Sequence, residues 1–135
     1  MMNLSFKLFG STALVFLALD LIWLFLISKK IYQNYLGDLM GETKIFPAVV
    51  FYFIYVIAVL FFVIHPAVEK DSLLYALGAG ALFGLVCYGT YDLTNLATIK
   101  NWPYFITIID LIWGMFVTGA TSGIVVFVAQ HFNWR

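Results

Sequence analysis

The chain has 135 residues, 64% of them hydrophobic and 10% charged, with a mean hydropathy of +1.00 and no net charge. A soluble domain runs roughly 45–50% apolar and about 25% charged. A chain of this length cannot bury so much apolar surface against itself, so its solvent must be lipid. The 19% aromatic content excludes intrinsic disorder. Zero net charge offers no basic footprint, so nucleic acid is not an expected partner. One cysteine, Cys87, excludes a disulfide framework and every cysteine-rich metal site.

Four apolar stretches follow in chain order: Leu8–Ser28, Ile45–Ile64, Leu73–Leu96 and Tyr104–Ala129. Each reaches the roughly 20 residues that a helix needs to span hydrocarbon. None alternates polar and apolar residues as a lipid-facing barrel strand would. The expected fold is therefore all-α: one polytopic membrane domain over residues 1–135, with four transmembrane helices. The first stretch is longer than the apolar run of a signal peptide, and no small-residue cleavage site follows it, so it reads as a retained helix. The long connection Lys29–Lys44 holds Tyr32, Tyr35, Leu36, Leu39 and Met40 at helical spacing, which predicts a short interfacial helix ending at Gly41. Pro47 suits a helix mouth. His65-Pro66 is expected to close the second helix, and Trp102-Pro103 separates the third from the fourth. Trp102, Tyr104 and Trp134 read as interfacial belt residues.

Four spans put both termini on one side, A, and the connections 29–44 and 99–103 on the other, B. Side A carries Lys7, Lys70 and Arg135; side B carries Lys29, Lys30, Lys44 and Lys100. The positive-inside rule barely separates the two. It leans toward side B in the cytoplasm, because Lys29-Lys30 abut the first helix, and a tie would permit dual insertion.

The informative residues are Asp20, Asp92 and Asp110, each inside an apolar stretch. At mid-membrane each costs roughly 2.5–3.5 kcal/mol to insert, so all three should face a bundle interior, a wet cleft or a partner. Measured at 1.5 Å per residue from the middle of each stretch, Asp20 lies roughly 3 Å toward side B, Asp92 about 10 Å and Asp110 roughly 9 Å. On the third stretch Gly80, Gly84, Tyr88, Asp92 and Asn95 share a stripe; on the fourth, Thr107, Asp110, Gly114, Thr118 and Thr121 do. Thr12, Phe16, Asp20 and Trp23 align on the first, while the second offers Tyr52 and Tyr55. These faces predict a pocket near side B. Asp92, Asp110 and Asp20 would be acid/base groups or a proton relay. Tyr88, Tyr91, Asn95, Thr94, Trp23, Trp113, Tyr52, Tyr55 and Lys100 would surround the substrate. The simpler alternative is that each acid only forms hydrogen bonds between helices.

Smaller signals complete the inventory. Gly80/Gly84 and Gly119/Gly123 form GxxxG steps that would let another helix, or a second copy of the chain, approach closely. Asp20-Leu21-Ile22-Trp23 recurs as Asp110-Leu111-Ile112-Trp113 on antiparallel helices, a match that frequent Leu and Ile also produce by chance. His65, His131 and Glu69 gather near side A and read as interfacial residues before a metal site. Cys87 reads as core packing.

The run Gly89-Thr90-Tyr91-Asp92-Leu93-Thr94-Asn95 through Lys100-Asn101-Trp102-Pro103, followed by Asp110-Leu111-Ile112-Trp113-Gly114, resembles the bacterial membrane family catalogued as domain of unknown function 2177. The resemblance covers nearly the whole chain, including Asp20–Trp23. It implies a small bacterial inner-membrane protein and makes the YDLTN segment, Lys100, Asp110 and Trp113-Gly114 hallmark positions. It supplies no activity.

Three functions from different classes fit these residues. The first is a small lipid- or isoprenoid-modifying membrane enzyme, with a desolvated carboxyl as general acid and a neighbouring one as base. Mg²⁺ on Asp20, Asp92 and Asp110 would suit a diphosphate substrate, although only Lys29, Lys30 and Lys100 stand nearby for phosphate. The second is a proton- or cation-coupled carrier working as a homodimer. The third is an accessory or assembly subunit whose acids pair with a partner's helices. All share the lipid bilayer as surroundings and a hydrophobic or lipid ligand as the expected small molecule.

Overall fold

A computed structural model describes residues 4–37 and 44–134. Helix α1, Leu4–Trp23, runs through a π-helical turn, Leu24–Ser28, into α2, Lys29–Leu36. Helix α3, Ile45–Val59, runs through a second π turn, Leu60–Ile64, into α4, His65–Glu69. Helices α5, Leu73–Thr98, and α6, Tyr104–His131, complete the chain, and no strand is present among the described residues. Four helical runs are long and apolar enough to cross a membrane: Leu4–Ile27, Ile45–Glu69, Leu73–Thr98 and Tyr104–His131.

Three local expectations change. Helix α1 starts before Leu8 and so takes in Lys7, whose Nζ stands 5.6 Å from the centre of the Trp134 ring. That cation–aromatic contact brings the two ends of the chain together on side A. His65-Pro66 does not close the second helix, which continues to Glu69. The π turn before it explains why: the His65 N–H bonds to the Leu60 carbonyl five residues back. The ladder has already changed register where the Pro66 ring would otherwise collide with a carbonyl. The short helix between the first two spans is α2, but it prolongs α1 instead of standing alone. Leu39, Met40 and the stop at Gly41 lie outside the described residues.

Burying apolar side chains against one another gains little when the alternative is lipid, so close approach and polar contacts between helices hold such a bundle. Helices α5 and α6 show how. A Cβ on Gly84 would run into the Gly114 carbonyl, and one on Gly80 would stand 2.9 Å from the Thr118 carbonyl oxygen and 3.0 Å from Gly119 Cα. On the other helix, Gly114 lies under the Tyr88 ring and Gly119 under the Leu77 carbonyl. At Gly80 and Gly84 glycine is required because the two backbones themselves touch. The two GxxxG steps therefore pack inside one chain, where Gly80, Gly84, Gly119 and Gly123 are all buried, and are not an open surface for a second copy.

Helix α6 is the centre of the bundle: half of its membrane window is buried, against 11% for the first span. The side-A half holds an apolar core of Leu8, Val56, Val59, Ile64, Val117, Val125 and Ala129. A smaller cluster, Leu36, Trp102 and Ile106, closes the side-B end and seats α2 against α6. Cross-helix hydrogen bonds fix the register. The Tyr55 and Thr118 hydroxyls share one, and the Tyr52 hydroxyl donates to the Ala13 carbonyl.

Candidate functional site

The antiparallel register set by the glycines brings Asp92 of α5 opposite Thr107 and Asp110 of α6. Trp102, in the turn between these helices, donates from Nε1 to Thr107 Oγ1 at 3.0 Å, and the Thr107 hydroxyl donates onward to the Asp92 backbone carbonyl at 3.4 Å. The turn is tight because Asn101 takes a positive φ of 64°, a conformation asparagine tolerates well. Trp102 is therefore a buried brace, 6% exposed, and not the lipid-facing belt residue the sequence suggests. Tyr104, 73% exposed, does lie on the outer surface.

Asp92 and Asp110 are both buried, with 0% and 2% of their surface exposed. The Tyr32 hydroxyl of α2 donates to Asp110 Oδ1. Burial, and then the Asp110 carboxylate, push the Tyr32 phenol well above its ordinary value, so it remains a donor throughout the physiological range. Among the described residues Asp92 has no such support: both of its carboxyl oxygens are buried without a hydrogen-bond donor. An orphaned buried carboxyl is costly and calls for a function or a ligand.

The pair lines a cavity of about 350 Å³ bounded by Tyr32, Phe51, Cys87, Tyr88, Tyr91, Asp92 and Asp110. That volume lies at the lower end of small-molecule pockets. Phe51 and Tyr91 are 53% and 58% exposed while lining it, so the mouth lies between α3 and α5. Counted at 1.5 Å per residue from the helix ends, both rings sit roughly 10 Å down their spans. The mouth therefore faces acyl chains. Among the described residues, no Lys, Arg or His side chain lines the cavity.

Of the residues expected around a site, the structure gathers Asp92, Asp110, Tyr88 and Tyr91. Asn95 stands beside Tyr91 without lining the cavity. Asp20 is half-buried on α1, outside the cavity, and close to Tyr52, Tyr55 and Tyr88. Tyr55 is buried at the bundle centre and Tyr52 packs on Phe16. Thr94 and Lys100 are exposed. Trp23 and Trp113 stack face to face, 4.6 Å apart and 7° from parallel, and line a separate apolar groove with Ile27, Ile31 and Phe116. The two copies of the Asp-Leu-Ile-Trp element thus meet at their tryptophans. Among the described residues, no three His, Cys, Asp or Glu side chains come together as a metal site. Asp20 stands apart from the pair, so the three-carboxylate Mg²⁺ arrangement is not formed. His65 pairs with Glu69 at 3.2 Å, while His131 packs on Phe127 and Phe132.

Tyr32, Phe51 and Cys87 are additions. Tyr32 was visible as part of a helical pattern, but only the unbroken helix through Leu24–Ser28 carries it over Asp110. Cys87, expected in core packing, forms part of the cavity wall.

No curated protein and no solved structure matches the chain. The sequence pattern of one family, described as a predicted membrane protein (DUF2177), matches residues 5–127. That range takes in the three membrane aspartates, Tyr32 and every other residue of the cavity wall, and the chain belongs to this family.

Proposed function

We propose that the chain is an enzyme of the bacterial cytoplasmic membrane that acts on a lipid-borne substrate, with Asp92 and Asp110 as its acid/base pair. The observation that carries this reading is Asp92: fully buried, unpartnered at both oxygens, and part of a cavity wall that opens to lipid. A carboxyl placed only to join helices would end on a protein donor. Asp110, held by the Tyr32 hydroxyl, is the fixed member of the pair. Asp92 is free to exchange its proton with a bound molecule. Such a pair supplies general acid–base catalysis, which contributes roughly 10²–10⁴-fold in rate.

The test compares lipid extracts of host membranes carrying the wild-type chain, Asp92→Asn or Asp20→Asn at equal levels. The reading expects a lipid species whose amount changes with the wild type and with Asp20→Asn, and stays at background with Asp92→Asn. Extracts that do not differ between wild type and Asp92→Asn contradict it.

A second reading, a proton-coupled carrier, draws on the buried hydroxyls of Thr12, Thr121 and Ser122, which lack partners and continue the polar stripe of α6 toward side A. It expects proton flux across vesicles that Thr121→Val abolishes. The enzyme reading expects none.

A further inference from the structure

We propose that the Asp92–Asp110 cavity binds the ammonium head of a membrane amphiphile, which enters sideways between Phe51 and Tyr91 with its chain left in the bilayer. This rests on the enzymatic reading above and names its substrate class.

Three observations carry it. First, the polar wall is acceptor-rich: two carboxyl groups, one already engaged by Tyr32, and Asp92 with both oxygens vacant. A ligand that completes this wall must donate hydrogen bonds. Second, the charge has one sign: two carboxyl groups line the cavity, and among the described residues no Lys, Arg or His lines it to balance them. One ammonium group brings an opposite charge and three donors. A phosphate or diphosphate would add negative charge beside the carboxylates, with Lys29 and Lys30 exposed on α2 instead of in the wall. Third, the mouth is in the wrong place for a water-borne amine. Phe51 and Tyr91 flank it from within two membrane spans, and the first turns of α3, with Ile45, Phe46, Val49 and Val50, are exposed apolar surface. At the side-B end Leu36 of α2 packs on Trp102 and Ile106. An occupant entering by this mouth comes from the bilayer.

Cys87, the chain's one cysteine and part of the cavity wall, is a built-in reporter. The full chain is reconstituted in phosphatidylcholine vesicles, and alkylation of Cys87 by N-ethylmaleimide is followed with increasing dodecylamine, dodecanol or dodecyl phosphate. The expected result is protection by dodecylamine at roughly ten-fold lower mole fraction than dodecanol, the preference of a charged over a neutral hydrogen bond. Dodecyl phosphate gives none, with or without Mg²⁺. Asp92→Asn removes the amine preference while leaving Cys87 reactive. Stronger protection by dodecyl phosphate with Mg²⁺, or equal protection by all three, overturns the ammonium class. A Cys87 that reacts in dodecyl sulfate but not in vesicles overturns the open sideways mouth. The lipid-extract comparison is independent of these outcomes. Amine-selective protection without any change in lipids would retain the binding site and remove the enzyme.

Discussion

Replacing Gly84 by alanine tests the α5–α6 packing on which the site depends. The added methyl would overlap the Gly114 carbonyl, with Gly114 C at 2.6 Å and Thr118 Oγ1 at 2.8 Å. The Gly114 carbonyl is backbone of a central helix and cannot turn away, so the helices must part by on the order of 1 Å. A gap of that size forfeits roughly a quarter to a half of each dispersion contact along the seam. Overpacking typically costs about 1–3 kcal/mol, and an immovable backbone neighbour puts Gly84→Ala at about 3 kcal/mol. Gly78 lies on the same helix with nothing within 4 Å of its would-be Cβ. Gly78→Ala should range from neutral to about 1 kcal/mol stabilising, through helix propensity alone. Gly89→Ala meets only Leu111 and Leu93 methyls at 3.5 Å and should behave like Gly78→Ala. Unfolding in mixed micelles, read by tryptophan fluorescence, compares the three. A Gly84→Ala chain within about 0.5 kcal/mol of Gly78→Ala would refute the close-approach account.

Three further predictions concern the polar groups. Asp92→Asn should unfold no more easily than the wild type and gain up to about 1 kcal/mol, because the orphaned carboxyl is gone; a loss above about 1 kcal/mol would mean that Asp92 is structural. Tyr32→Phe should cost about 1.5–3 kcal/mol, the range for a hydrogen bond to a charged group. Because the folded Tyr32 holds its proton above its unfolded value, its contribution is complete below about pH 10 and falls as pH rises beyond that, by roughly 1.4 kcal/mol per unit. The Phe variant should lose that share of the alkaline slope, and an unchanged slope would contradict the contact. Finally, Trp102→Phe should cost about 1 kcal/mol for its bond to Thr107; a variant as stable as the wild type would refute that bond.

Much of this arrangement is legible in the sequence. Spacings of three and four residues put Gly80, Gly84 and Asp92 on one face of α5, and Thr107, Asp110, Gly114 and Thr118 on one face of α6; all seven are buried. Counting spans placed Asp92 and Asp110 at nearly the same depth. The same arithmetic set Asp20 a helical turn closer to mid-membrane, and it lies outside their cavity. What periodicity cannot reveal is which partner a small-residue face meets: GxxxG reads alike for a second copy and for the neighbouring helix. Nor does it foresee the π turns. Leu24–Ser28 and Leu60–Ile64 keep helices running where Lys29-Lys30 and His65-Pro66 suggest an end. The first of them carries Tyr32 over Asp110, so a donor on that carboxylate comes from a segment that reads as a separate interfacial helix.

The central claim is that Asp92 and Asp110 form one lipid-facing site completed by an external donor. An experimental structure of the chain in native lipid tests it most directly. The account predicts density for an amphiphile whose head meets Asp92 and whose chain leaves between Phe51 and Tyr91. A closed cavity in which a protein donor satisfies the Asp92 carboxyl would contradict it.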